Sequence, residues 1–428
     1  MYPIQKWAAT VVAAACSFVI LPAAAAPGDL DPSFGVNGSV YTPIFGNIAE
    51  PFAMVRDRSG RTIVAGQSVD PVTNLSTLLL ARFLTDGTPD ATFGDTGTGI
   101  VLTTPPAGVS QYAQFFSIAL DSKDRIVCAG DIGTDGPSII KPVLAVARYS
   151  PDGILDHSFN GTGFVASVIE DDEVQGMASS IAIDASDRIV AVGRSMGSSS
   201  SDGVLLRYRE DGSLDHSFAK TMIRMTGVYG NFYPTSVAID SHGQIIVAGN
   251  DVDPSTGLAV TLVSRYSDDG EQDISFGVGG FASNADLQVT QMILDESDAT
   301  ILGGTENTDA TFALTRIDST GTLDITFGGD GTGMAQTGYL TGVPVQIGLS
   351  LDGNGHILAS ANLDEGMAAF RFNVDGTPDS GFGLDGVAYG PAGSSLSVTS
   401  LIVDDADHFS MVGSDVASPD IVMLRYEN

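Results

Sequence analysis

RYSPDGILDHSFNGTGF, residues 148–164, decides the fold. An apolar strand ends in Arg148-Tyr149, and an Asp152-Gly153 turn reverses the chain. Leu155-Asp156-His157-Ser158-Phe159 then leads through glycines into a further apolar run, Gly163 to Ser167. Variants of this passage surround Phe34, Phe93, Phe159, Phe218, Phe276, Phe327 and Phe382, with successive gaps of 59, 66, 59, 58, 51 and 55 residues. Such a period marks an array of one supersecondary unit.

Outward from that passage, a second motif keeps step with the first. SIALDSKDRIVCAG from Ser117, SIAIDASDRIVAVG from Ser180 and SVAIDSHGQIIVAG from Ser236 each hold two β-rich runs around a Ser/Asp/Gly turn. That pattern is a hairpin. Its aspartates are Asp57, Asp121, Asp184, Asp240, Asp295, Asp352 and Asp404, and a glycine follows nine residues later in every unit but one, where Ala361 stands. The hairpin supplies strands A and B, the Arg-ending strand is C, and the run after the Phe-Gly passage is D. Four short antiparallel strands cannot bury both faces alone, so the units must stack around an axis. The sequence therefore predicts an all-β chain, a seven-bladed β-propeller with four antiparallel strands per blade.

The ends of the chain fit the same scheme. Arg148 and Arg207 precede Asp156 and Asp215 by eight residues. Joining Asn428 to Pro27 places Asp31 eight positions after Arg425. The stretch Ser39 to Thr42 is then strand D of the blade whose other strands come from the C-terminus, which leaves no edge strand exposed. One propeller domain, residues 26–428, follows a signal peptide, residues 1–25. Lys6, the apolar run Trp7 to Leu21 and the small residues Ala23 to Ala26 carry the signal reading.

The Leu-Asp-x-Ser-Phe-Gly motif, with its Arg-aromatic strand and Asp-Gly turn, resembles the delta-60 repeat family of bacterial exported β-propellers. The resemblance covers essentially the whole mature chain. It implies the fold and brings no catalytic residues with it. The departures are Ala219-Lys220 after Phe218, and Ile317 and Thr320 in place of the usual aromatic and Asp.

Composition narrows the function. The formal net charge is −33, from 52 acidic and 19 basic residues. A nucleic acid partner needs a basic surface, so that class is excluded. Cys128 is the one cysteine of the mature chain, so there is no internal disulfide. An export signal without disulfides suits a bacterial periplasm or the extracellular space. No second apolar run has membrane-spanning length, so no membrane association is expected after cleavage. A monomer is expected.

The repeated Arg and Asp occur once per unit at constant spacing, which points to one structural ion pair per blade. The five histidines, His157, His216, His242, His356 and His408, fill repeat positions and hairpin turns rather than a catalytic grouping. No metal-ligand spacing is present, and no cofactor is called for. The acidic run Glu170-Asp171-Asp172-Glu173 is the place where calcium would bind if any does. Loops that differ between blades carry function. The D–A and B–C connections share one face, and Tyr112, Phe232, Tyr233 and Tyr339 are the expected ligand contacts there. Small residues four before each hairpin Asp, namely Ala53, Ser117, Ser180, Ser236, Gly348 and Ser400 (with Gln291 the exception), are expected at the central channel.

The favoured reading is a non-enzymatic exported binding or scaffold propeller for a glycan or protein. Its rivals are a propeller enzyme, such as a polysaccharide lyase or hydrolase with an axial site, and a calcium-dependent surface adhesin. An enzyme would gather unrepeated basic residues at the channel mouth, where Arg194, Arg224 and Lys141 are the candidates.

Overall fold

The computed structural model describes residues 25–105, 109–134, 141–167, 175–196, 201–219, 222–284, 286–307, 311–336, 347–363, 366–391, 396–404, 408–415 and 418–428. The signal-peptide reading falls almost wholly outside them. The repeats fold into seven sheets of four antiparallel strands each. Blade 1 runs Ile48–Arg56, Thr62–Val69, Ser76–Phe83, Ile100–Thr103. Blade 2 runs Val109–Leu120, Ile126–Thr134, Lys141–Tyr149, Phe164–Ser167, and blade 3 runs Gln175–Ile183, Ile189–Met196, Ser201–Tyr208, Met222–Met225. Blade 4 begins with Phe232–Ile239 and Ile245–Val252, blade 5 with Leu287–Leu294 and blade 6 with Ile347–Leu351. Blade 7 takes Leu396–Val403, His408–Asp415 and Ser418–Glu427 from the C-terminus and Ser39–Thr42 from the N-terminus.

That last pairing closes the ring as expected. Ser39 lies opposite Leu424, and Thr42 opposite Ile421. The approach is also held, because Gly28 N donates to Glu427 O at 2.8 Å and Asp31 N to Arg425 O at 2.9 Å.

The core lies between blades rather than within them. Phe93, Phe115, Ile126 and Tyr149 pack across the first and second blades, and Phe218, Phe232, Val237 and Leu262 across the third and fourth. In six of the seven blades the inner strand is bulged where the glycine of strand B crosses it. The register of Val109–Leu120 shifts between Phe115 and Ser117, opposite Gly130 and Ala129. A Cβ on Gly130 would collide with the carbonyl of Gln114, which is why glycine recurs at this place.

The repeated Arg–Asp pair is a clamp between blades. Arg82 Nε reaches Asp90 Oδ2 at 2.8 Å, Arg148 reaches Asp156 at 2.8 Å and Arg207 reaches Asp215 at 2.8 Å. Arg265–Asp273, Arg316–Asp324, Arg371–Asp379 and the end-joining Arg425–Asp31 repeat it. Each guanidinium also lies over the motif phenylalanine, at 4.6 Å from the ring centre for Arg82 over Phe93 and for Arg207 over Phe218. In six of the seven clamps a third arm donates to a main-chain carbonyl of the following blade, at Pro151 for Arg82 and Ser319 for Arg265, and in the seventh Arg371 donates to Asn428 Oδ1. The phenylalanine in turn lies under the next Asp-Gly turn. Gly153 has φ of +80°, and a Cβ there would stand 2.7 Å from the Phe93 ring. So the motif that reveals the fold is the one that fastens each blade to the next.

The clamp carboxylates set the response to acid. Burial raises the Asp215 carboxyl, but the Ser217 donors and Arg207 outweigh it and bring it down to about 2. Asp273 falls to about 2 through Ser275 and Arg265. A carboxylate lowered by folding lends stability above its unfolded value, and that stability is lost as pH falls through the folded value. We therefore expect stability to drop steeply between about pH 4 and 2, as followed by circular dichroism. A transition complete above about pH 4 would contradict the clamp.

Candidate functional site

The hairpin face of the ring is occupied by its own fastenings. Ser122 N and Oγ donate to Asp187 at 2.8 and 2.7 Å, and Ser241 N and Oγ donate to Asp298 at 2.9 and 2.6 Å. Arg58 Nη1 donates to Ser122 O at 2.9 Å. Three of the histidines belong to this face: His356 pairs with Asp352 at 2.8 Å, His408 faces Asp404, Asp31 and Glu427, and His242 faces Asp298. Among the described residues, two groups could offer a metal three ligand atoms: Asp31, His408 and Glu427, and Asp240, His242 and Asp298. In the first, one of the two carboxylates, Asp31, already holds the Arg425 guanidinium.

The channel behaves as the strand alternation requires. Ala53, Ser117, Ser180, Ser236, Gln291, Gly348 and Ser400 all line one axial cavity of about 230 Å³. Small side chains are needed where seven strands converge. Ser117 and Ser180 also tie blades together, since Ile181 N donates to Ser117 Oγ at 3.1 Å and Val237 N to Ser180 Oγ at 3.3 Å.

Above the channel, on the variable face, the blades stop being alike. The bulge residue that faces the axis is Phe52 in the first blade and Phe116 in the second, but Ser179 in the third and Thr235 in the fourth. Phe52 and Phe116 touch, with ring centres 5.2 Å apart. A cavity of about 410 Å³ opens beside them, lined by Phe116, Met177, Ala178, Arg194, Tyr233 and Pro234 among others. Arg194 spreads its guanidinium over the Tyr233 ring, 4.8 Å from the centre. The site therefore combines apolar rings, a flexible thioether and a cation in a strongly acidic chain.

Of the expected ligand contacts, Tyr233 lines this cavity. Tyr112 is half-buried in the neighbouring seam, where its hydroxyl receives Gln114 Nε2. Burial, then Asp131 and Glu50, raises its phenol above the usual range. Phe232 corrects the expectation: it is 2% exposed and belongs to the core between blades 3 and 4. Its ring occupies the space that Gly203 and Gly249 leave, since a Cβ on either would stand 2.9 or 2.8 Å from it. Tyr339 and the run Glu170-Asp171-Asp172-Glu173 lie outside the described residues. Of the basic candidates, Arg194 reaches the cavity, whereas Arg224 pairs with Asp202 at 3.4 Å. Sequence reasoning missed the partnership of Arg194 with Tyr233. The signal was present, because Arg194 directly follows the strand-B glycine Gly193 in a position held by Gln67, Asp131 and Asn250 in other blades.

Residues 58–93 and 185–218 match the model of a family described as a domain of unknown function (DUF5122) beta-propeller. Both stretches end on a motif phenylalanine, Phe93 or Phe218. No curated protein matches the chain. Among solved structures, hydrazine synthase of Kuenenia stuttgartiensis is similar at 10% identity and a TM-score of 0.50, with 88% of this chain and 96% of that chain covered. A protein of unknown function from Dyadobacter fermentans is similar at 10% identity and a TM-score of 0.48, with 93% and 100% covered. A PL25 ulvan lyase, a polysaccharide lyase, is similar at 11% identity and a TM-score of 0.49, with 91% and 96% covered. At such identities the likeness concerns the fold alone.

Proposed function

We propose that this chain is an exported propeller of the delta-60 repeat type that binds a glycan or protein segment, without catalysis, on its variable face. The observation that carries the reading is the cavity of about 410 Å³ formed by Phe116, Met177, Arg194 and Tyr233 at the channel mouth. Rigid rings give a ligand apolar area at small entropic cost, and an adjacent guanidinium orients polar groups. The apolar run from Trp7 to Leu21 and its small-residue end support export.

A glycan array probed with the labelled full chain would supply a ligand, and titration calorimetry would then rank variants. Tyr233→Ala and Arg194→Ala are each expected to weaken binding by about tenfold, as for a central aromatic or arginine contact. Tyr229→Ala, a change at a ring that is 43% exposed and away from the cavity, is expected to leave it unchanged. Full affinity in both cavity variants would place the site elsewhere.

A further inference from the structure

We propose that Asp131 is a proton-operated latch between the second and third blades. When it takes a proton from solvent, its O–H donates to the Ala178 carbonyl and its other oxygen accepts the Ala178 N–H. When it gives the proton back, the donor is lost and a buried carboxylate faces a carbonyl.

The argument comes from comparing equivalent positions. The residue after the strand-B glycine, or after Ala361 in the sixth blade, reaches the next blade in blades 3, 4 and 6, as Arg194, Asn250 and Asn362. In blade 4 that residue is Asn250, whose Nδ2 donates to Val289 O at 2.7 Å while its Oδ1 accepts from Val289 N at 2.8 Å. In blade 6 it is Asn362, which makes the same pair of bonds to Val398 at 2.8 and 2.6 Å. Val289, Val398 and Ala178 are equivalent, each lying opposite the glycine of its own blade. Asp131 therefore stands where an amide bridges two blades, with Ala178 as its counterpart. A neutral carboxyl has the shape of a carboxamide and the same one-donor, one-acceptor edge; a carboxylate only accepts.

The state of Asp131 fits that account. It is 0% exposed, and neither carboxylate oxygen has a hydrogen-bond partner among the described residues, the Ala178 amide included, so the latch stands open in this structure. An ionised carboxylate left so is costly. Burial accordingly pushes its carboxyl up to about 6, against a smaller opposing contribution from Gln114. Among the described residues, no opposite charge contributes to the shift of its carboxyl. Tyr112 and Gln114 face it from its own hairpin, and Glu50 of blade 1 lies beyond Tyr112. Arg194 of blade 3 is turned away to Tyr233 of blade 4. Leu144 is the cross-strand neighbour of Asp131 on the third strand, and Lys141 starts that strand at the register position opposite Thr134. Because Ala178 is in the wall of the mouth cavity, the latch fastens that wall at low pH.

The test needs no ligand, so its failure is separate from that of the binding reading. It uses the full chain as wild type, Asp131→Asn and Asp131→Ala. Thermal unfolding is followed from about pH 4.5 to 7.5, and exchange of the Ala178 amide is measured and corrected for its intrinsic pH dependence. The wild-type midpoint is expected to fall away from that of Asp131→Asn as pH rises through about 6, then to run parallel. The Ala178 amide should lose up to roughly thirtyfold protection over the same rise in wild type and none in Asp131→Asn. At low pH its protection should match Asp131→Asn and exceed Asp131→Ala. Equal protection in wild type and Asp131→Ala at low pH would remove the bridge, and parallel pH curves for wild type and Asp131→Asn would remove the latch.

Discussion

A chain lacking residues 27–43 is expected to lose most of its stability, although it keeps all the strands of the other six blades. The deletion strips Ser39–Thr42 from Ser418–Glu427 and turns a paired strand into an open edge. It also removes Phe34, which is 2% exposed, from the core shared by the last and first blades. Losing a buried phenylalanine alone costs about 3–5 kcal/mol. Arg425 loses Asp31 at the same time, so a guanidinium that is only slightly exposed is left without its carboxylate. These losses are comparable to a whole domain's stability of roughly 5–15 kcal/mol. The expected result is a chain that unfolds at low urea and is cleaved rapidly by protease. An unfolding midpoint equal to that of the chain with residues 27–43 would mean that the seam contributes little and that the ring is held by its other six junctions.

The parts of the fold that sequence reveals are those that repeat. Arg148 lies near the end of one strand, Asp156 follows eight residues later in the connection to the next strand, and Phe159 is three further on. One short segment thus contains both partners of the clamp, and seven copies exclude coincidence. The small axial residues are legible for a similar reason, since every blade meets the same geometric limit at the same place. The channel mouth is not repeated, and there the reading divides. Phe232 looks like one more ring in a variable loop, yet it begins the inner strand of blade 4 with its side chain turned between blades. What turns it inward is Gly203, four residues before Arg207, where the other blades carry the side chains of Leu78, Leu144, Thr261, Phe312, Met367 and Ile421. A ring from one blade fills a hole left by another, and only a comparison of unlike positions across two blades finds it. The same holds for Arg194 and Tyr233, and for Asp131 with Ala178. Function resides in such exceptions, where one blade departs from its siblings, and a periodic pattern is silent about them.

Replacing Arg207 by methionine is expected to cost about 4 kcal/mol, whereas the same change at Arg316 is expected to cost about half of that or less. The two arginines hold equivalent positions and differ in burial. Arg207 and Asp215 side chains are each 3% exposed, while Arg316 and Asp324 are 18% and 21% exposed. Methionine roughly keeps the packing of the arginine stem over Phe218, so the loss is mainly electrostatic. Asp215 would stay buried with only its Ser217 donors and the half-exposed Arg209 beside it. At Arg316, water can solvate Asp324 once its partner is gone, which limits the penalty. The pair Arg207→Met with Asp215→Asn should recover part of the loss, because the stranded charge is removed with its partner. Urea denaturation of the singles and the double separates these terms. Equal losses at Arg207 and Arg316 would show that burial does not govern the clamp, and a double variant no better than Arg207→Met would show that the bonds to the next blade, rather than the ion pair, carry its strength.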